Sequence, residues 1–543
     1  MRRLAVFLFS LRKTNTLMSM PRSKKTKSSF NYDDQGRVIL GSAKEMAAWV
    51  KLGFVQQEKN RTPEDEIILK NFIDLRKCVL YISYPVGDKT APNKIFNFCE
   101  LAGIVPGIEK IKGDPNYLFE VKQDIRFDGS VLYGNFFHYV KFNGVVDLDD
   151  VTINGSFSGF RCQFDSYVYM QRLHVETRCD FEQCIFAKGL IMNGANAHLF
   201  HYNNCIIRDR LWLSSVSLNN QHHEGYYQSI GITNSTVENF KLSRVDTDGL
   251  PVYLGNSKVD GMQIDNVSLD NVLSLNSCTM EGIMTMLKGN NAPNNRIKEI
   301  VFHICDVEAQ CHIENSEIDR FSFDFGKISE KGRIRFSQCD VGDLVIGSSS
   351  IFGQVDIIES KISILNFDET QIPGYLNFQK NTVDNYPNRQ TLRILKNEAL
   401  KVNDDVEALK HYAKEMNLLL ADNDISLWDK LSLRFNKCFS RFGENWIQAL
   451  LVTLGLSIAM TLLMLGLGSS KYAFNLSGKF IGIGGFVTAL LDSINVFSIP
   501  LFRDTIEEYG LNVWGQILYF VIKLVVAYGT YQVVVAFRKY GRK

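Results

Sequence analysis

A small residue, any residue and an apolar residue recur as a triplet through the middle of the chain, and this recurrence restricts the fold more than any other feature. The triplets are Cys162-x-Phe164, Cys184-x-Phe186, Cys205-x-Ile207, Ser235-x-Val237, Ser257-x-Val259, Cys278-x-Met280, Ser316-x-Ile318, Cys339-x-Val341 and Ser360-x-Ile362. Most steps between them are 21 to 23 residues, and the two longer ones, 205 to 235 and 278 to 316, hold polar inserts at 219–225 and 289–296. A second apolar residue follows five positions later at Ile191, Trp212, Leu242, Ile264, Phe323, Ile346 and Phe367. Such a repeat fits neither the 3.6-residue period of a helix face nor the 2-residue period of a lone half-buried strand. It predicts a solenoid of short strands joined by corners, four sides plus one residue per turn. The small and apolar residues point inward and stack into ladders.

The run Phe127, Leu132, Phe137, Phe142, at a strict spacing of five, opens the pattern. Together with the triplets it resembles the pentapeptide-repeat family of right-handed quadrilateral β-helices in degenerate form, the Asn/Asp-Leu centre of that family being mostly replaced. The resemblance covers roughly half the chain. It implies a mainly β fold class with a β-helix over residues 116–388, and a surface for recognition in place of catalytic apparatus, because such a fold does not by itself carry an activity.

With 60 basic and 59 acidic residues the chain is neutral overall, which removes the bulk-charge argument for nucleic acid and disfavours the acidic, DNA-mimicking use of the pentapeptide fold. Of eleven cysteines, Cys162, Cys184, Cys205, Cys278 and Cys339 hold the small inward position that serine fills elsewhere, and no pair shows C-x2-C spacing. They are predicted to be core thiols and not metal ligands, in a reducing compartment. Asp147, Asp149 and Asp150 on an early coil, and His222 and His223 in the first insert, invite comparison with the calcium-binding acids of secreted polysaccharide lyases; corner chemistry is the expectation for the acids. No cofactor, metal site or catalytic set is expected, and the chain does not read as an enzyme.

Residues 1–29 read as a basic tail with Met18 or Met20 as alternative starts, since Arg12 and Lys13 break the apolar stretch that follows Met1. Residues 30–115 read as a small α/β cap, with a short amphipathic helix from Ser42 to Gly53. A second helix starts at Thr62-Pro63-Glu64-Asp65 and carries Ile67, Ile68, Phe72, Leu75 and Val79 on one face, and its continuation is β-prone. After the β-helix, Leu392, Leu395, Ala399 and Val402, then Val406, Leu409, Ala413, Met416 and Leu420, keep helical spacing around Asn403-Asp404. They predict an αα-hairpin over 389–424 that covers the end of the solenoid. Over 425–445, Lys430, Arg434, Lys437 and Arg441 interleave with apolar residues, as suits a juxtamembrane helix on an anionic bilayer surface.

Residues 446–543 form the membrane module. The stretch 446–468 carries no charge, and 513–537 carries only Lys523; both are long enough to span a bilayer core. Between them 480–502 is apolar but contains glycines, Asp492 and Pro500. Four basic residues precede the first span, and Arg538, Lys539, Arg542 and Lys543 close the chain. The positive-inside rule then puts both flanks in the cytoplasm and makes 480–502 re-entrant or interfacial. The hairpin with Leu395-Lys396 and Glu415-Met416, Arg441-Phe442-Gly443 and the closing Ala536 to Lys543 resemble bacterial membrane proteins that join pentapeptide-type repeats to a two-span module, some with a channel-like pore. The pore-equivalent stretch from Thr488 to Pro500 lacks a Thr-Val-Gly-Tyr-Gly filter.

These readings give a multi-pass inner-membrane protein of bacterial type, with a cytoplasmic β-helix that binds a protein partner or senses a signal. The alternative is an oligomeric channel or pore gated by the β-helix. Expected partners are the lipid bilayer, a cytoplasmic protein and further copies of the chain, but not nucleic acid. Asp492, Lys523, Ser493, Asn495 and Ser498 are the pore or membrane-site candidates. Asp492 and Lys523 are expected to approach each other and fix the re-entrant segment against the second span, since an intramembrane charge seeks a partner. Lys430, Arg434, Lys437, Arg441, Arg538 and Lys539 are the membrane-surface candidates.

Overall fold

The computed structural model describes residues 30–541 apart from 43, 52–71, 77, 82–103, 105–106, 115–116, 134–136, 219–228, 246–250, 288–294, 470–482 and 496–501. The chain is mainly β: a parallel β-solenoid of about eleven turns, with a small α/β region before it and helices after it. Each rung lies in register on the next, as Phe157–Phe160 does on Arg178–Glu182 and that strand on Leu199–Asn203. At about 4.8 Å per rung the stack is roughly 50 Å long. One apolar core runs its length, from Val38 to Leu376 and on into the helix that follows. Phe127, Leu132, Phe137 and Phe142 are all fully buried, and the rings of Phe142, Phe164 and Phe186 stack at centroid spacings of 5.1 and 4.8 Å.

The small residue of each triplet is buried, as its spacing predicts, and its position is a corner. The residue before it takes a left-handed conformation, as at Arg161, Gln183, Asn204, Asn234 and Asn256, with φ between 47° and 55°. That turn keeps the backbone N–H in the ladder: Arg161 donates to Glu182 O and Gln183 to Asn203 O, both at 2.9 Å. The small side chain then donates inward. Cys184 Sγ lies 3.4 Å from both Gly159 O on the previous rung and Glu182 O two residues back, and Ser257 Oγ donates to Gly255 O at 2.8 Å. Cysteine, serine and threonine interchange here because each is small and each carries a donor for a buried carbonyl. Burial raises the thiols of Cys179, Cys184 and Cys205 well above their usual range, which keeps them protonated.

Three sequence readings need correction. The nine triplets do not share one corner. Across the second insert the turn closes at Cys305, which follows left-handed Ile304 and whose Sγ bonds back to Leu275 O. Ser316, Cys339 and Ser360 belong to the second left-handed corner, in line with Asp150, Arg172 and Asn266 and following Asn315, Gln338 and Glu359. Next, Ile191 and Trp212 face outward. From buried Phe186 the next buried apolar side chains are Leu190 and Met192, whereas from buried Val237 they are Phe240 and Leu242. One extra corner residue in the early turns shifts the strand by one position, and with a side-chain period of two this reverses its faces. Finally, the helix predicted to run through Phe72 and Val79 is replaced by strands Phe72–Asp74 and Cys78–Tyr81, which pair in parallel with Asp124–Arg126 and Val131–Tyr133. The coil therefore begins inside the region read as a cap. Ile73, Leu75, Cys78 and Leu80 are buried at alternate positions, a strand pattern that i, i+3 counting conceals. The proposed helix start at Thr62 lies outside the described residues. A short helix, α1 at 44–51, does form, and it buries Met46, Ala47 and Val50 on the first rung.

The other end is covered by the αα-hairpin of α2 (Arg389–Lys401) and α3 (Asp405–Ala421). Helix α2 starts at Asn388, whose side chain accepts from Thr391 N, and it drives Leu392 and Leu395 into the solenoid core. Thr391 Oγ1 accepts from Phe367 N at 2.8 Å and so occupies a donor of the last rungs. The two helices are joined by buried Glu415, held by Arg393 at 2.6 Å and Lys396 at 3.1 Å. His411 is buried against the rings of Phe378 and Tyr386, and burial pushes its imidazole down to about 4.

Two outcomes are expected. Ser257→Phe overpacks a corner and lowers unfolding stability by roughly 1–3 kcal/mol, measurable by denaturant titration of the full chain. Because an unfolded histidine titrates near 6.5, the unfolded chain binds more protons between about pH 6.5 and 4. The contribution of His411 is therefore complete above about pH 6.5 and is lost as pH falls towards 4. Thermal unfolding across this window should show wild type losing stability relative to His411→Gln; parallel curves would contradict the assignment.

Candidate functional site

Helix α4 (Leu427–Ser440) leads from the hairpin to α5 (Trp446–Gly468), and after 470–482 come α6 (Ile483–Ile494), α7 (Phe502–Tyr509) and α8 (Val513–Gly541). Helix α5, together with residues 513–537 of α8, is long and apolar enough to cross a membrane. The two are antiparallel: Trp446 meets Phe537 at a ring spacing of 5.1 Å, Thr453 meets Gly529, and Gly468 meets Gly515. Glycine makes this approach possible. A Cβ on Gly529 would lie 2.0 Å from Thr453 Oγ1, and one on Gly468 would lie 2.3 Å from Gly515 Cα. Thr453, Ser457 and Thr461 form a buried polar stripe four residues apart; Thr453 and Ser457 donate back to Ala449 O and Thr453 O.

Helix α6 has 12 residues, about 18 Å of rise, which falls short of a bilayer core of about 30 Å. Its C-terminal end is met by Lys523 from α8. Only 6% of this lysine is exposed. Its Nζ donates to the main-chain oxygens of Asp492 and Asn495, the latter at 2.6 Å, and lies 5.0 Å from the ring centre of Tyr519. The carboxylate of Asp492 accepts from Tyr509 Oη at 3.0 Å. Lys523 and residue 492 thus come together as the sequence reading expects, but the ammonium reaches a carbonyl that any residue at 492 would supply. Ser493 is buried and donates to Ala489 O, and Asn495 is exposed and takes part through its carbonyl. Ser498 lies outside the described residues. No sequence signal marks Tyr509 and Tyr519 as parts of this cluster, since tyrosines are frequent in the module.

Helix α4 has three faces at about 100° per residue. Phe439 and Ser440 pack on α8, through Tyr528 at 5.1 Å and a 2.7 Å bond from Ser440 Oγ to Gln532. Leu427, Trp428, Leu431 and Phe435 form an exposed apolar stripe, with Trp428 80% exposed. Lys430, Arg434 and Lys437 form a neighbouring basic stripe, extended by the C-cap residue Arg441. Arg538 and Lys539 lie in the last turns of α8, at the same end of the helix pair as Trp446.

On the solenoid, the early acids do serve corners. Asp147 Oδ1 accepts from Asp149 N, Asp149 Oδ1 accepts from Gln171 N at 2.7 Å, and Asp150 pairs with Arg172. Burial raises Asp128 to about 7 and Asp149 to about 6, with Asp147 adding to both. Among the described residues no group of three or more His, Cys, Asp and Glu side chains is placed to hold a metal. His222 and His223 lie outside the described residues. A cleft of about 540 Å³ opens on the outer face around Trp212, lined by Asp209, Arg210, Lys241, Gln263 and Ile283. No protein-family model, no curated protein sequence and no solved structure matches the chain.

Gly529→Val should separate α5 from α8 and lower the thermal stability of the purified full chain, by roughly 1–3 kcal/mol if it behaves as ordinary overpacking. Thr453→Ala in the same background should recover part of the loss, since it removes the two nearest contacts and keeps the Cβ. Equal stability of all three proteins would show that the helices do not pack through this pair.

Proposed function

We propose that this is a non-enzymatic, membrane-anchored protein of the bacterial inner membrane, with a solenoid of degenerate pentapeptide type that serves as a recognition or sensing surface on the cytoplasmic side. The observation that carries this reading is the solvent-facing apolar surface of α5 and α8. About two thirds of each 18-residue apolar window is unburied, and Leu450, Leu451, Leu454, Leu463, Leu467 and Phe520 point outward. Such a continuous apolar surface is unfavourable in water and matched to lipid. The exposed stripe of α4, flanked by its basic stripe, suits the bilayer surface next to it. The hairpin fastens the solenoid to the module, so a partner bound on the coil would be held close to the membrane. The cleft at Trp212, with an aromatic residue among paired charges, is the patch we assign to that partner.

An oligomeric pore is the second reading. It is favoured by the polar groups inside the module, Lys523, Asp492 and the Thr453–Ser457–Thr461 stripe. Two spans cannot enclose a water-filled path, so this reading requires several copies of the chain.

The test is topology. In intact cells an impermeant maleimide should label Asn512→Cys, at the connector end of the helix pair, and should leave Cys438, the exposed thiol of α4, unlabelled until the membrane is opened. The reverse pattern would place the solenoid outside, and recovery of the chain in the soluble fraction after lysis would remove the anchor.

A further inference from the structure

The contact between Lys523 and α6 has more in it than a buried charge finding shelter. A helix ends with four carbonyl groups that have no partner within the helix, and with the negative end of its macrodipole. In α6, Leu491 O is used by Asn495 N, while Asp492 O and, just beyond the helix, Asn495 O turn to the ammonium of Lys523. The Tyr519 ring supplies a cation-attracting face at 5.0 Å. The carboxylate of Asp492, held by Tyr509, adds negative charge close by. Met464, Leu465, Ala489, Leu511, Ile522 and Val526 form one buried apolar cluster with Tyr509 and Tyr519, and the Lys523 side chain is buried with only 6% exposed. An ammonium is a compact point charge, and carbonyl oxygens replacing water around a compact monovalent cation is how such ions are bound in proteins.

We infer that the C-terminal end of α6 is a monovalent-cation site whose resident ion is the tethered ammonium of Lys523. The tether gives the arrangement its purpose. The ion belongs to α8 and the oxygens to α6, so the contact locks the short helix against the span while the site stays closed to free ions. Without the ammonium both carbonyl oxygens lose a charge-assisted bond at a place where the lysine was buried, a costly change that a free K⁺ or NH₄⁺ offsets. The inference rests on the packing of the membrane module and not on which side of the bilayer the solenoid lies, so its failure would leave the topology test untouched.

The experiment uses the full chain purified in detergent, melted in chloride salts of K⁺, NH₄⁺ or N-methylglucamine at equal ionic strength. Lys523→Met keeps most of the stem, ends one atom short of the ammonium and removes the charge; Lys523→Ala leaves more room still. Wild type should melt at one temperature in all three salts. Both variants should melt lower in N-methylglucamine and regain several degrees in K⁺ or NH₄⁺, with the midpoint rising as the small cation is titrated. Variants that melt alike in all three salts overturn the inference, as do variants that match wild type in N-methylglucamine. So does a failure of both to fold even with the small cations present, since the free ion would then be unable to stand in for the ammonium.

Discussion

The obligation of every rung to be completed by the next one governs this molecule. A strand of four or five residues has neither the length nor the buried area to be stable alone, and its N–H and C=O groups on both edges need partners. Stacking solves both problems, and it does so in register, because the left-handed corners place each inward residue above the one before. The corner serine or cysteine completes the arrangement by donating to carbonyls that the turn would otherwise leave bare. A solenoid built this way has no internal reason to stop. Its ends must be closed by something else, and here α1 with the first strands closes one end and α2 the other.

That closure also joins the parts of the chain. Leu392 and Leu395 belong to the solenoid core, while α3 is tied to α2 through Glu415 and its basic partners. Beyond it, Gly443 in the link to α5 lies against Leu409 of α3 and Val535 of α8. The chain therefore passes from coil to apolar helix pair through packed elements.

Within the module, polar groups are handled locally. Thr453 and Ser457 return their hydroxyls to the carbonyls four residues back, and Lys523 is placed on the carbonyl end of a short helix. Each arrangement satisfies within the protein a group that apolar surroundings could not. The glycines at 468, 515 and 529 do related work, since without a Cβ the backbones approach closely enough for packing alone to hold the pair.

The sequence by itself determined the period of the coil, the inward identity of its corner residues, the hairpin at its end and both apolar helices. All of these are local patterns: a recurrence, a cap or a run of uncharged residues is complete in the stretch that shows it. Only the tertiary structure decided which way Ile191 and Trp212 face, because one extra residue in a corner reverses a strand and the sequence does not show where a corner ends. It also decided that Phe72–Asp74 is a strand of the coil, since the neighbours that make it one, at 124–126, lie some fifty residues on. The two corner families stayed hidden for a similar reason. In the late coils the second corner takes a small donor at Ser316, Cys339 and Ser360, at the same spacing as the first, although its early coils carry Val151, Leu173, Val216 and Val245 there; the insert at 289–296 breaks the count that would separate the two. In the module, a single lysine in an apolar run announces that it needs a partner. That the partner would be main-chain oxygen could not be read, because every residue carries a carbonyl and only a folded helix end turns one toward a neighbour from outside the helix.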